Sequence, residues 1–209
     1  MTIIGYSDRI NHALAFAAKH HDQQVRKGTR PPYLTRPANV AIILTRYGRD
    51  DYTIVAGVLR DVVEDCVLDA YPYSMLEQRI GEKFGREVLD MALSVAHRRV
   101  DDDGIELSTD DRRDDYLERL AQANDSARWV CAAEELHSAN SILADLRRTI
   151  DPNSVWSRFT GGKDTTINGH RRVYDRLIEI GFDGEIMREL GTVIVALEEW
   201  SNTTASYGT

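Results

Sequence analysis

The sequence predicts an all-α domain. Apolar residues recur at intervals of three and four almost throughout, residues that start and end helices bracket those runs, and no stretch alternates apolar and polar residues as a half-buried strand would. At 209 residues the chain has room for one sizeable core but not for two comfortable ones. One domain over residues 1–200 with a frayed tail at 201–209 is therefore expected.

Taken in order, the first helix is expected over 7–27, opened by Ser7 and Asp8 and carrying Ile10, Leu14, Ala17 and Ala18 on one face. A second is expected over 37–47, with Pro37 in its first turn, Val40, Ile43 and Leu44 on its inner face, and Gly48 at its end. The third, 51–65, holds Ile54, Val55, Val58 and Leu59 and reads on into "VLRDVVEDC". Helices follow at 74–84 and 86–98, joined at Gly85, and then at 110–123, 125–148, 164–180 and 184–200, which makes nine. The acidic stretch "RRVDDDGIELSTDD" lacks the spacing of a calcium loop and reads as a solvated connection.

Composition narrows the function classes. A formal charge of −8 argues against general nucleic-acid binding, which requires a basic face. No apolar run approaches the roughly 18 to 20 residues needed to cross a bilayer, and the N-terminus has no basic segment ahead of an apolar stretch; a cytoplasmic, membrane-free protein is expected. Cys66 and Cys131 lie far apart in apolar helical contexts, as reduced core thiols do. Two basic clusters, "QVRKGTR" and "NGHRRVYDR", supply enough cations for a small anionic ligand.

Several motifs stand in a telling order: "HDQQVRKG", "PPYLTRP", "VAIIL", "VLRDVVEDC", "IGEKFGREVLDMALSV", "AAEELHSANSILADL" and "VWSRFTGGKDTTINGHRRV". Over roughly residues 7–180 this series resembles the HD hydrolase domain of the RelA/SpoT family, including its small stand-alone members and the metazoan SpoT homologue. The resemblance implies a single HD-like helical domain in which two histidines and two aspartates hold one Mn²⁺. The metal-bound water removes the 3′-diphosphate of guanosine tetra- or pentaphosphate, or in some members the 2′-phosphate of NADPH.

The ligand positions of that family fall on other residues here. The histidine of a Tyr-Ile-Xaa-His-Pro loop falls on Arg36, and the His-Asp pair on Arg60 and Asp61. The aspartate of an Ala-Asp-Lys-Leu-Xaa-Asn helix falls on Glu134, with Ser138 at the asparagine position. Only Asp61 is unchanged. A guanidinium has five donors, no lone pair to give and a permanent charge, so neither arginine can ligate a metal. No metal and no other cofactor is therefore expected. Arg36 and Arg60 against Asp61 and Glu134 sum to zero charge, which suggests that the arginines replace the dication and form at least one direct ion pair with those carboxylates.

The resemblance assigns further roles. Glu64 and Asp65 are the pair that positions nucleophilic water and substrate, and would be catalytic if the protein is active. Arg26 and Lys27 match phosphate-contacting residues, and Tyr33 and Arg113 are lesser pocket candidates. Arg171 falls on the arginine of a Leu-Trp-Tyr-Tyr-Arg stretch whose two aromatics are replaced by Asn168 and Gly169, a departure that removes the expected stacking platform. Of the six histidines none occupies a ligand position; His21, His97 and His137 read as structural. The ligand-binding set is accordingly Arg26, Lys27, Arg36, Arg60, Asp61, Glu134 and Arg171. The expected function is a pseudo-hydrolase that binds a phosphorylated nucleotide such as guanosine tetraphosphate or NADPH, with a protein partner also open. A divergent phosphohydrolase acting without manganese and a purely structural interaction domain are the alternatives.

Overall fold

The fold is described from a computed structural model, over residues 6–28, 30–65, 73–101 and 103–205. Among these, ten helices form: α1 (Asp8–His20), α2 (Thr35–Arg46), α3 (Asp51–Asp65), α4 (Tyr73–Phe84), α5 (Arg86–Ser94), α6 (Thr109–Gln122), α7 (Asp125–Arg148), α8 (Asn153–Trp156), α9 (Gly162–Glu179) and α10 (Ile186–Ala205). No strand forms among them; Val25 with Pro32 and Val100 with Glu106 make isolated bridges only. The all-α expectation holds. Side-chain caps lie where short polar residues precede the periodic runs: Ser7 accepts from the Ile10 N–H, Ser108 from that of Asp111 and Asn124 from that of Ala127.

Helix α3 is the axis of the domain. Every residue from Thr53 to Val63 is buried, and the helix packs against α1, α2, α4, α5 and α7. Gly57 permits the approach of α2, because a Cβ there would lie 2.8 Å from a Leu44 methyl and 3.1 Å from one of Val40. Long helix α7 crosses α3 and is covered on its other sides by α2, α9 and α10. A helix buried all round has no polar face to spare, so Arg60 and Asp61 enter the core with it.

Several boundaries differ from the sequence reading; the helix expected over 86–98 ends at Ser94, where Val95 leaves the helical conformation. Helix α1 stops at His20, not at 27, because Gln23 adopts a left-handed φ of 65° and the following segment folds back on itself. That segment is tied by backbone bonds from Arg26 N–H to Pro31 O (3.0 Å) and from Tyr33 N–H to Gln24 O (2.9 Å). The short helix α8 is additional. Helix α10 continues to Ala205, into the stretch read as a frayed tail. Cys131 is a buried free thiol, and Cys66 lies outside the described residues. No helix of the described residues is long and apolar enough to cross a membrane.

Candidate functional site

A buried charge cluster forms where α2, α3 and α7 meet. Arg36, in the first turn of α2, places Nε 2.9 Å from Asp61 Oδ2 and Nη2 2.7 Å from Glu134 Oε2. Arg60 donates through Nη1 to Asp61 Oδ1 (2.7 Å) and through Nε to the Val95 carbonyl (3.0 Å), and its Nη2 lies 2.6 Å from Glu64 Oε2. Asp61 is thus held between two guanidinium groups, as the charge-replacement argument expected.

The Arg36 contacts are close in distance but poorly directed. Asp61 Oδ2 and both oxygens of Glu134 are buried and accept no well-aligned hydrogen bond. The attraction at Arg36 is mainly coulombic, whereas Arg60 is fixed by directed bonds.

The charge balance differs from the sequence sum in one member. Glu64 belongs to the cluster: besides Arg60, it accepts from the His97 backbone N–H at 2.8 Å. The cluster therefore contains two guanidiniums and three carboxyl groups. Burial pushes the Glu64 carboxyl up, but Arg60 and His97 outweigh it and bring it down to about 2. Asp61 is likewise lowered, with Arg36 and Arg60 overcoming its burial. Glu134 goes the other way. Its burial, together with the negative charge of Asp61 and Glu64, exceeds the pull of Arg36 and Arg60 and holds it up at about 7. Protonating Glu134 leaves two positive and two negative charges, so neutrality is reached with Glu64 in the place the sequence sum gave to Glu134.

Opposite pH dependences follow. The folded state holds the Glu134 proton between pH 4.5, its unfolded value, and about 7, so this group's contribution to stability falls as pH rises through that window. The Glu64 contribution is fully present above pH 4.5 and is lost as pH falls towards about 2. Thermal melts of wild type and Glu134→Gln should show the variant gaining on wild type between pH 4.5 and 7. A constant difference across that window would contradict the assignment.

Beyond the cluster, Tyr33 donates to Asp65 Oδ2 at 2.8 Å and stacks on His21, whose Nδ1 lies 2.8 Å from Gln24 Oε1. Burial, with Glu64 next, raises the Asp65 carboxyl. Arg26 Nη1 lies 3.3 Å from His137 Nε2 and 3.4 Å from Ser141 Oγ. Neither partner is an anion, since burial and then Arg26 and Arg36 push His137 down to about 4 and leave it neutral. Lys27 is exposed, with Nζ 3.5 Å from the Arg158 carbonyl. Gly28 makes the adjoining turn at φ 93°, where a Cβ would run into the Arg158 guanidinium.

Arg171 is not brought to the cluster. Its Nε and Nη2 form a two-point pair with Glu198 on α10 at 2.8 and 2.7 Å. The residues on either side of it, His170 and Arg172, instead line a cavity of about 370 Å³ between α6, α7 and α9, together with Arg113, Glu135 and Ser138. Sequence reading passed over Glu135 and His170, whose Nδ1 and Oε2 lie 2.5 Å apart. The available signal was that Glu135 stands at the lysine of the Ala-Asp-Lys-Leu motif. The roles of His97 and His137 beside Arg60 and Arg26 were also missed; His137 could have been found from its spacing of four from Ser141 on one face of α7.

The four positions that resemble a metal site do not make a manganese donor set. Two present guanidiniums, and the two carboxylates are engaged by them. Among the described residues no three His, Cys, Asp or Glu side chains are grouped to share an ion.

Comparison with known proteins places the architecture. The model of the HD domain matches residues 13–155, more than half of the chain. The chain belongs to the HD-domain family. Its relatives mark it as an HD domain of RelA/SpoT type. A guanosine-3′,5′-bis(diphosphate) 3′-pyrophosphohydrolase of Aquifex aeolicus is 36% identical over 83 residues, 40% of this chain and 11% of that protein. A probable chloroplastic GTP diphosphokinase of Arabidopsis thaliana is 29% identical over 134 residues, 64% of this chain and 16% of that protein. This HD chain thus spans well under a fifth of the length of these curated relatives. The solved structure of a metazoan orthologue of SpoT that hydrolyses ppGpp superposes with a TM-score of 0.70 at 22% identity, covering 94% of this chain and 98% of that one. A Listeria monocytogenes crystal structure gives 0.62 at 26% identity, covering 81% and 95%.

Proposed function

We propose that this HD-domain chain is a metal-free pseudo-hydrolase that binds a phosphorylated nucleotide of the kind its relatives process, a guanosine bis(diphosphate) or an NADPH-like molecule, without cleaving it at a family-like rate. The observation that carries this reading is Arg26. Its guanidinium is half buried beside a neutral histidine and a serine, with no carboxylate within salt-bridge distance among the described residues, and its pKa is lowered by that burial and then by Arg36. Such a cation is complete only with an external anion, and phosphate oxygens match its planar fork. Lys27 adds a second cation on the same loop. The chemistry for hydrolysis is missing from the donor set: where a Lewis acid would activate water, two arginines already neutralise the carboxylates.

Calorimetry with guanosine tetraphosphate and NADPH, alongside a phosphate-release assay, tests the reading. Binding without turnover is expected, and Arg26→Ala should weaken it about 10- to 100-fold, the value of one or two charge-assisted hydrogen bonds. No binding of either nucleotide would refute the proposal. One observation favours the divergent-enzyme reading, namely Asp65 at the end of α3, whose carboxyl is raised by partial burial and then by Glu64 and is suited to act as a general base. Metal-independent turnover lost in Asp65→Asn would establish that reading in place of the first.

A further inference from the structure

A helix that stops leaves its last carbonyls without helical donors. At the end of α5, four consecutive carbonyls, from Leu93 to Ala96, each accept from an arginine side chain. Arg119 on α6 serves three of them: Nη1 donates to Leu93 at 2.9 Å and to Ser94 at 3.3 Å, and Nη2 donates to Ala96 at 2.6 Å. Arg60 on α3 serves the fourth, Val95. The remaining nitrogen of Arg119, Nε, donates to Asp115 Oδ2 at 2.9 Å, and Asp115 Oδ1 accepts from Arg98 Nε at 2.7 Å.

The same short segment also holds the charge cluster. The Val95 carbonyl fixes Arg60 Nε at 3.0 Å, the His97 backbone N–H donates to Glu64 at 2.8 Å, and His97 Nδ1 lies 3.1 Å from Arg60 Nη2. Contacts therefore alternate along residues 93–98: Leu93, Ser94, Ala96 and Arg98 bond to α6, while Val95 and His97 bond to α3. The His97 ring adds a second tie to α6, stacking on Tyr116 with centroids 4.3 Å apart and planes 4° from parallel. Within α6 only Tyr116 and Leu120 are buried, so polar bonds make up much of its attachment.

We propose that Arg119 is a positioning residue for the Arg60–Glu64 half of the charge cluster, acting through the backbone of residues 93–98. A simple cap on α5 would satisfy carbonyls and leave α3 unaffected; here the capped carbonyls are interleaved with the groups that hold Arg60 and Glu64. A lysine cannot take over the role, because its three donors sit on one nitrogen and cannot span three carbonyls and a carboxylate. A ligand or partner that displaces α6 would act on Arg60 and Glu64 without touching either. This role holds whether or not the protein binds a nucleotide.

The test follows two NMR signals of the full chain, the exchange rate of the His97 amide and the Arg60 Nε–H resonance, with the amide of fully buried Leu59 as reference. Arg119→Ala should speed His97 exchange relative to Leu59 by about tenfold or more and shift the Arg60 resonance, because opening one segment costs less than unfolding the core. Leu177→Ala, a core truncation on α9, should melt lower than wild type yet leave the Arg60 resonance in place and the His97-to-Leu59 ratio no higher, which separates positioning from general loss of stability. The Arg119 side chain is 22% exposed, so a small cation can reach its place. Ethylguanidinium should restore both signals in Arg119→Ala, whereas ethylammonium at the same concentration should not. If Arg119→Ala does not fold, Arg119→Lys carries the test, with the same changes at smaller size. Unchanged His97 and Arg60 signals in a folded Arg119 variant, or equal rescue by ethylammonium, would overturn the assignment.

Discussion

Replacing Arg60 by alanine is expected to cost about 3–5 kcal/mol of stability, the range for removing one partner from a buried ion pair. Arg60 is 6% exposed on the central helix, and its three guanidinium nitrogens serve the Val95 carbonyl, Asp61 and Glu64. Alanine would leave that carbonyl unpaired, strip Glu64 of its cation, leave Asp61 to the misaligned Arg36 alone and open a cavity in the core. For a chain of this size each kcal/mol shifts the melting temperature by roughly 2–4 °C, so a fall of about 10 °C is expected. Arg60→Lys should lie between the two, because an ammonium keeps the charge but lacks the fork that spans both carboxylates and the carbonyl. A loss under about 1 kcal/mol for Arg60→Ala, measured by calorimetry, would show that the cluster does not depend on this residue.

Combining Arg36→His, Arg60→His and Glu134→Asp is expected to create a Mn²⁺ site where the unmodified protein, purified without chelator, carries well under one equivalent. The structure explains why all three changes are needed. Asp61 is approached on one oxygen by Arg36 (2.9 Å) and on the other by Arg60 (2.7 Å), so reverting either arginine leaves a guanidinium against the carboxylate that an entering dication would need. Two histidines remove both charges and supply two neutral nitrogen donors, and the shorter carboxylate at 134 draws its oxygens back from the position now occupied by Arg36. Ser138→Asn, one turn further along α7, completes the resemblance to the family motif. Elemental analysis should approach one equivalent for the combined variant and change little for each single one, with at least trace release of the 3′-diphosphate from guanosine tetraphosphate. Stoichiometric metal bound at Asp61 in the unmodified protein would refute both this prediction and the proposed function.

Much of this was open to inspection in the chain alone. The three-and-four spacing of Val40, Leu44, Ile54, Val58 and Leu59 specifies helices, because burial of one face is the dominant favourable term and the helical period decides which residues share a face. Ser7 marks a start by its hydroxyl chemistry. The arginines at 36 and 60 exclude ligation by the nature of guanidinium, whatever the fold. What local chemistry could not settle is how helices turn towards one another. His170, Arg171 and Arg172 are consecutive, each about 100° from the next around α9, and nothing in the run says which of them meets the cavity and which meets Glu198. The same holds for Glu64, whose place in the cluster depends on the His97 backbone folding across the end of α3, and for Gln23, whose left-handed turn ends α1 within a polar run that the periodicity does not interrupt. Spacing along a chain sets the direction of a side chain within its own helix; its partner is set by the packing of another helix, through contacts between residues far apart in sequence.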